Sequence, residues 1–286
     1  MSRLRLALLG LAILLLAGCG RSNADSRAWL DGLPKPWTLS EAQVTRLLPQ
    51  FRQHYPDFHQ RLRAMALWRV GTPYEIYQLG EEVEPDPDPI FRLDVSDCTA
   101  HVLTTMSMAQ SETWAEARRN MVAIHYKPDA AGKKSPTYRS RWHYTTDRIT
   151  ANPYTVDITA TLLPDEQLEA VDITLNRKQD GSEFLDLDWS RTMTARYIPN
   201  EKIGADLLAG LPEVCGVAFV RRSYFKIGLV VAHEGMIIDR KDLIHAGLAA
   251  GETQQIDFLD YYFAEDGPAF DGIMVFAFAP LAEAAG

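Results

Sequence analysis

Three residues set far apart in this chain could together perform acyl-transfer chemistry. Cys98 stands in Ser96-Asp97-Cys98-Thr99, where a small polar pair precedes an apolar-periodic run and so marks a helix start. Far downstream, His233 lies in Val230-Val231-Ala232-His233-Glu234-Gly235 and His245 in Asp242-Leu243-Ile244-His245-Ala246, both strand-like. A thiol in the first turn of a helix meets unpaired N–H groups and the positive dipole end, which favour the thiolate. Those same donors can hold the oxyanion of a tetrahedral intermediate. An imidazole facing the thiol can take and return its proton, and a polar group behind the imidazole fixes its tautomer. The reaction such a set offers is amide cleavage through an acyl-cysteine.

Each residue also has a structural alternative. Cys98 alone reads more readily as a structural helix cysteine, and a lone His233 as a satisfied core histidine. The run around His233 is apolar on both sides, however, and an imidazole there costs desolvation free energy unless it has a partner. Strand alternation sets His233 on one side with Val231 and Gly235, where Gly235 leaves space for another chain or a substrate, and turns Glu234 to the opposite face. The turn Asp239-Arg240-Lys241-Asp242 then brings His245 beside His233 on the next strand. Asp97 opposes a thiolate unless its carboxylate caps the helix. The joint occurrence of the three residues favours the catalytic reading over the packing one.

The elements that must position them divide the chain in two. Ser40 with Gln43, and Thr113 with Glu116, form capping-box patterns that open helices. Pro56 starts another helix that Gly71 stops, and Asp97 or Ser96 caps the one carrying Cys98. Strands are expected over 192–197, 214–221, 229–238, 242–246, 254–259 and 272–278, rich in Val, Ile and Phe. Helices followed by hairpin-spaced strands predict an α+β domain with an antiparallel sheet, the Cys98 helix packing on it. That domain spans 38–280, with a short tail over 281–286.

At the front, Arg3 and Arg5 precede an apolar run from Leu6 to Leu16, too short for a comfortable membrane span, which describes an export signal over 1–18. Leu16-Ala17-Gly18-Cys19 resembles the bacterial lipobox, which implies cleavage before Cys19 and a lipid on its sulfur. Gly20 rather than Asp, by resemblance to sorting rules, favours the outer membrane. Residues 19–37 read as a polar tether. The formal charge is −9, and removal of 1–18 takes Arg3 and Arg5 and no acid, moving it to −11. Such an acidic export product is a poor nucleic-acid binder. Cys215, in an apolar strand-like run, reads as a small buried hydrophobe rather than as a disulfide partner for Cys98. Neither His-x-x-x-His nor Cys-x-x-Cys spacing is present, so no metal or other cofactor is expected.

Several motifs in order carry a family resemblance. Gly71-Thr72-Pro73-Tyr74, Leu79-Gly80-Glu81 and Asp97-Cys98-Thr99 come first; Tyr138-Arg139-Ser140-Arg141-Trp142-His143-Tyr144, Gly216–Arg221, Ala232-His233-Glu234-Gly235, Leu243-Ile244-His245-Ala246 and Phe270-Asp271-Gly272-Ile273 follow. Together they resemble the NlpC-like, papain-fold cell-wall cysteine hydrolases, and more narrowly the bacterial N-acetylmuramoyl-L-alanine amidase-like family. The resemblance implies Cys98 as nucleophile, His233 as base, His245 as orienting residue, and Tyr74 near the oxyanion; core packing is the alternative for Tyr74. It implies the muramoyl–L-alanine amide of peptidoglycan as substrate, with the γ-D-glutamyl–diamino acid bond as the alternative. A non-catalytic muropeptide-binding lipoprotein is the reading from another class, and acyl transfer to lipids a third. The basic, aromatic segment 127–152, with Arg141, His143 and Tyr144, suits a wall that grips substrate carboxylates, or else is a solvated insertion.

Overall fold

Helix starts in this protein follow their caps. A computed structural model describes residues 23–265 and 267–281; the expected export signal and Cys19 lie outside the described residues. Helix α1 (Asn23–Asp31) leads to α2 (Glu41–His54), whose start carries the full Ser40–Gln43 capping box. Asp57 rather than Pro56 caps α3 (Phe58–Trp68), and the Asp97 carboxylate caps α4 (Cys98–Met108) by accepting from the Ala100 N–H at 2.7 Å. Such a cap stabilises a helix by roughly 1 kcal/mol. Thr113 caps α5 (Trp114–His125), but Glu116 reaches back to the N–H of Glu112 rather than that of Thr113. A short α6 (Thr145–Ala151) closes the helical half.

The rest is dominated by one antiparallel sheet. Its strands are β1 (Thr155–Asp157), β2 (Glu169–Leu175), β3 (Arg191–Pro199), β4 (Val214–Val220), β5 (Val231–Ile238), β6 (Asp242–Gly247) and β7 (Glu252–Asp257). After a small hairpin, β8 (Phe263–Ala264) and β9 (Gly267–Pro268), comes β10 (Gly272–Phe278). The order is β2-β3-β10-β4-β5-β6-β7, with β1 also on β10. Central strands are buried on both faces. Ala218, Val220, Met236, Ile238, Ile244 and Phe276 face the main core under α2 to α5, while Cys215, Val217, Phe219, Ile237 and Leu243 face a second core. A short α7 (Thr159–Leu162) follows β1, and the short helices α8 (Ala205–Gly210) and α9 (Phe258–Tyr262) cover that second core with Leu207, Leu208, Phe258 and Tyr262. Double coverage explains why these strands read as unbroken apolar runs instead of alternating ones. Cys215 is wholly buried, as a small hydrophobe would be.

The fold is thus mixed α+β, with α4 packed on β5 and β6. Two expectations need correction. Part of the polar tether over 19–37 is the helix α1, which docks on the domain: Leu30 is buried, and Trp29 stacks on His54 at 4.1 Å and meets Phe51 edge-on at 4.9 Å. A two-residue apolar seam in a nine-residue helix is too short a signal to stand out against Asn, Asp, Ser and Arg. The expected strand 254–259 begins at Glu252 and gives way at Phe258 to α9, because the Asp257 side chain accepts from the N–H groups of Leu259 and Asp260 and so caps a helix there.

Candidate active site

Cys98 is the first residue of α4 and is partly exposed. Its N-cap Asp97 is buried, and the carboxylate collects the N–H groups of Ala100 at 2.7 Å, Tyr77 at 3.0 Å and Thr99. Tyr77 adopts a positive φ of 59° to deliver that donor. The helix N-terminus meets β5 where β6 has left it: pairing between the two strands runs only from Met236 to Ile238. There the Glu234 N–H and the Thr99 side chain lie close enough to the Cys98 sulfur to favour its thiolate.

One residue from that N–H, His233 sits on a kink. The β4–β5 register shifts between Phe219, opposite His233, and Val220, opposite Val231, leaving Ala232 as an extra residue. A bulge of this kind re-aims the neighbouring side chain. It also corrects the expected alternation, since Val231 packs on the main core while His233 lies over Phe219 of the second core, ring centroids 5.5 Å apart. His233 Nε2 lies 2.8 Å from His245 Nδ1, and His245 Nε2 lies 2.8 Å from Gln254 Nε2. A Cβ on Gly235 would come within 3.0 Å of the His245 Cβ, so the space left by Gly235 is taken by the histidine strand itself. Tyr261, at 4.5 Å from the His245 ring, closes the cluster.

Electrostatics at the site run against a resting thiolate. Burial pushes the Cys98 thiol up to about 12, and the carboxylates of Asp97 and Glu234 add to the rise; the Glu234 N–H and the Thr99 hydroxyl oppose it. Burial lowers His233 to about 4 and, helped by His233, His245 to about 3. Both imidazoles are therefore neutral at pH 7 and the thiol is protonated. The expectation that the helix N-terminus favours the thiolate is corrected: burial outweighs it, and Asp97, which takes the first-turn N–H groups of Thr99 and Ala100, adds a carboxylate beside the sulfur. Tyr74, bridged to Ser96 and bonded through its N–H to the Gly251 carbonyl, lies close enough to feel Cys98. Its hydroxyl is raised to about 12 by burial, then by Cys98 and Asp97.

Glu234 does turn away from His233, as alternation requires, but the face it turns to is the one α4 occupies. Its wholly buried carboxylate accepts from Thr99 Oγ1 at 2.6 Å, Thr145 Oγ1 at 3.1 Å, Arg148 Nη1 at 3.3 Å, and Arg148 Nη2. This network clamps α4, α6 and β5 together directly beside the sulfur. Sequence reading passed over it because its members stand 86 to 135 positions apart. Gln254 was missed for a similar reason, its place opposite His245 being fixed only by the β6–β7 register.

The other candidate residues have internal partners. Arg141 is held by both oxygens of Glu81 at 2.6 Å and by Asp86 at 2.7 Å. His143 bonds the Tyr138 carbonyl at 2.6 Å, and the buried Tyr144 donates to Asn176 at 2.6 Å. Lys127 pairs with Asp147 at 2.6 Å beneath the Trp189 ring, and Arg139 with Asp188 at 2.8 Å. The segment expected to grip substrate carboxylates spends most of its cations on the protein's own acids and carbonyls. Among the described residues, no group of three or more His, Cys, Asp or Glu could hold a metal ion, and no helix is long and apolar enough to cross a membrane.

Fold and site define a mixed α+β protein in which His233, His245 and Gln254 form one row of contacts and Cys98 starts the helix packed on the strands that carry the two histidines. Residues 65–266 match the N-acetylmuramoyl-L-alanine amidase-like (AmiA-like) family, and the chain belongs to it. A Legionella pneumophila protein of the DUF1460 family superposes with a TM-score of 0.67 at 19% identity, over 84% of this chain and 94% of that one. A Bacteroides uniformis N-acetylmuramoyl-L-alanine amidase gives 0.59 at 20%, over 78% and 99%. A Bacteroides fragilis protein provisionally named a xylanase gives 0.57 at 24%, over 75% and 99%. Likeness at these identities shows a shared fold and nothing about the bond that is cut. No curated protein matches the sequence.

Proposed function

We propose that the protein is an NlpC-like, papain-fold cysteine amidase of the cell envelope that cleaves the bond between N-acetylmuramic acid and L-alanine in peptidoglycan or muropeptides. The observation that carries this reading is the His233–His245 contact at 2.8 Å, made from the strand whose Glu234 N–H lies close enough to influence the Cys98 thiol. His233 acts as general base: as Cys98 Sγ attacks the amide carbonyl, the thiol proton passes to His233 and then to the leaving amine, and water releases the acyl group. Because the resting thiol is neutral, proton transfer accompanies attack instead of preceding it. The Cys98 N–H, which has no acceptor among the described residues, and the Tyr74 hydroxyl would receive the oxyanion. Cys19 would carry the lipid, anchoring the domain at the outer membrane and facing the periplasm.

The deciding experiment uses protein starting at Gly20, with Cys98→Ala alongside, incubated with purified muropeptides and read by mass spectrometry. Release of an intact stem peptide beginning with L-alanine, absent in the variant, is expected. A cut inside the stem would change the bond to the γ-D-glutamyl one and keep the nucleophile. One observation favours a second reading, a muropeptide-binding lipoprotein without turnover: the thiol is flanked by two carboxylates and raised to about 12. No product from folded, reduced protein would select it.

A further inference from the structure

His245 has two ring nitrogens, and both are engaged. Nδ1 meets His233 Nε2 at 2.8 Å, and Nε2 meets the Gln254 amide at 2.8 Å. A neutral imidazole carries one proton, so the group that Gln254 presents decides where it lies. When the amide NH₂ faces His245, as in this structure, Nε2 accepts, the proton sits on Nδ1, and Nδ1–H donates to His233 Nε2. His233 then keeps its own proton on Nδ1, the only nitrogen left to meet the thiol, and cannot act as a base. When the amide carbonyl faces His245, Nε2–H donates to it, Nδ1 accepts from His233 Nε2–H, and His233 Nδ1 presents a lone pair. The two arrangements differ by a half-turn of one amide.

Three features fit Gln254 to this task. It stands directly across from His245 in the β6–β7 register. Gly247 keeps the room open, since a Cβ there would lie 3.2 Å from His245 Cε1 and 3.4 Å from Gln254 Nε2. The Gln254 Oε1 accepts no hydrogen bond among the described residues, so the amide can turn without breaking another contact. Both histidines are neutral near pH 7, which makes tautomer, and not charge, the variable that the amide controls.

We propose that Gln254 is a positioning residue that sets the tautomer of His245 and, through it, whether His233 offers Cys98 a lone pair; the arrangement with the Gln254 carbonyl toward His245 is the competent one. This rests on the cysteine amidase reading above. The test is imidazole ¹⁵N–¹H correlation spectroscopy on substrate-free protein starting at Gly20, comparing wild type with Gln254→Leu and the near-isosteric, acceptor-only Gln254→Glu. Wild type is expected to hold His245 as one neutral tautomer with the proton on Nδ1. Gln254→Leu should give a mixture, and Gln254→Glu should move the proton to Nε2. On muropeptides, where turnover needs the amide turned with its carbonyl toward His245, Gln254→Leu can no longer hold the competent tautomer and should lower kcat on the order of 10- to 100-fold with KM little changed, as loss of an outer hydrogen-bond partner does for metal-bound histidines. Gln254→Glu should retain more activity than Gln254→Leu. His245 spectra that are the same in all three proteins would overturn the proposal, as would an unchanged kcat in Gln254→Leu. Failure of wild type to turn over muropeptides would instead sink the amidase reading, because the spectra need no substrate.

Discussion

Replacing Glu234 with glutamine should move stability and thiol reactivity in opposite directions. The carboxylate accepts four hydrogen bonds, three of them on Oε1, from Thr99, Thr145 and Arg148 Nη1, and it faces an Arg148 guanidinium that is wholly buried. In Glu234→Gln the remaining oxygen can keep both threonines, but the new NH₂ points at Arg148 Nη2, donor against donor, and the guanidinium loses its counter-charge. Breaking a buried pair on one side costs about 3–5 kcal/mol. At roughly 2–4 °C per kcal/mol for a domain of this size, Tm should fall by roughly 6–20 °C. Glu234→Met with Arg148→Met should be less damaging than the sum of the singles, since no charge is left stranded. Meanwhile one of the two carboxylates that hold the Cys98 thiol up is gone, so alkylation by iodoacetamide at pH 8, followed by intact-mass spectrometry at a temperature where the variant is folded, should speed up several-fold. A urea unfolding loss below about 1 kcal/mol would refute the assignment of the network as a buried clamp. An alkylation rate that does not change would refute the claim that the sulfur feels Glu234.

In the wild type, iodoacetamide capture of Cys98 should rise continuously with pH through pH 10, and a plateau below pH 8 would contradict the thiol at about 12. Acid sensitivity follows from the histidines. Burial places His233 and His245 at about 4 and 3, below the ordinary 6.5, so the unfolded chain binds protons first. Their contribution is complete above the unfolded value of about 6.5 and is lost as pH falls toward 4; urea midpoints that are flat from pH 7 to 4 in wild type and His233→Gln alike would contradict this. Arg69 is wholly buried; among the described residues its Nε and Nη1 have no partner and Nη2 bonds only Ser96 Oγ at 3.1 Å, and burial lowers it to about 9. Arg69→Met should therefore be neutral or stabilising in urea, and a loss above about 2 kcal/mol would show a missing partner. Trp29→Ala should cost about 2 kcal/mol by undocking α1, whereas a flexible tether would show no change.

What could be read from sequence was local or periodic. Ser40 with Gln43 and Asp97 at the start of the Cys98 helix are short-range capping patterns, and the helices begin where those residues stand. The turn at 239–242 puts His233 and His245 on neighbouring strands, because hairpin connectivity leaves little choice. What could not be read depended on partners brought in by the fold. Arg141 looked free for a substrate carboxylate until Glu81 and Asp86, about sixty positions earlier in the chain, folded onto it. The reactivity of Cys98 was judged from the dipole of its own helix, whereas Glu234, a carboxylate from another element, helps set it. The bulge at Ala232, which aims His233, leaves no mark in composition at all.

The docking of α1 also fixes a reach. If Cys19 carries the lipid, only the four-residue step to Asn23 separates the membrane surface from folded structure, and four residues fully extended span at most about 14 Å. A body held on so short a leash would not swing out across a periplasm to search the wall. Its opening would then receive only chains and fragments that pass within a protein's width of the bilayer, so anchoring would act as a filter on which glycan ends are presented.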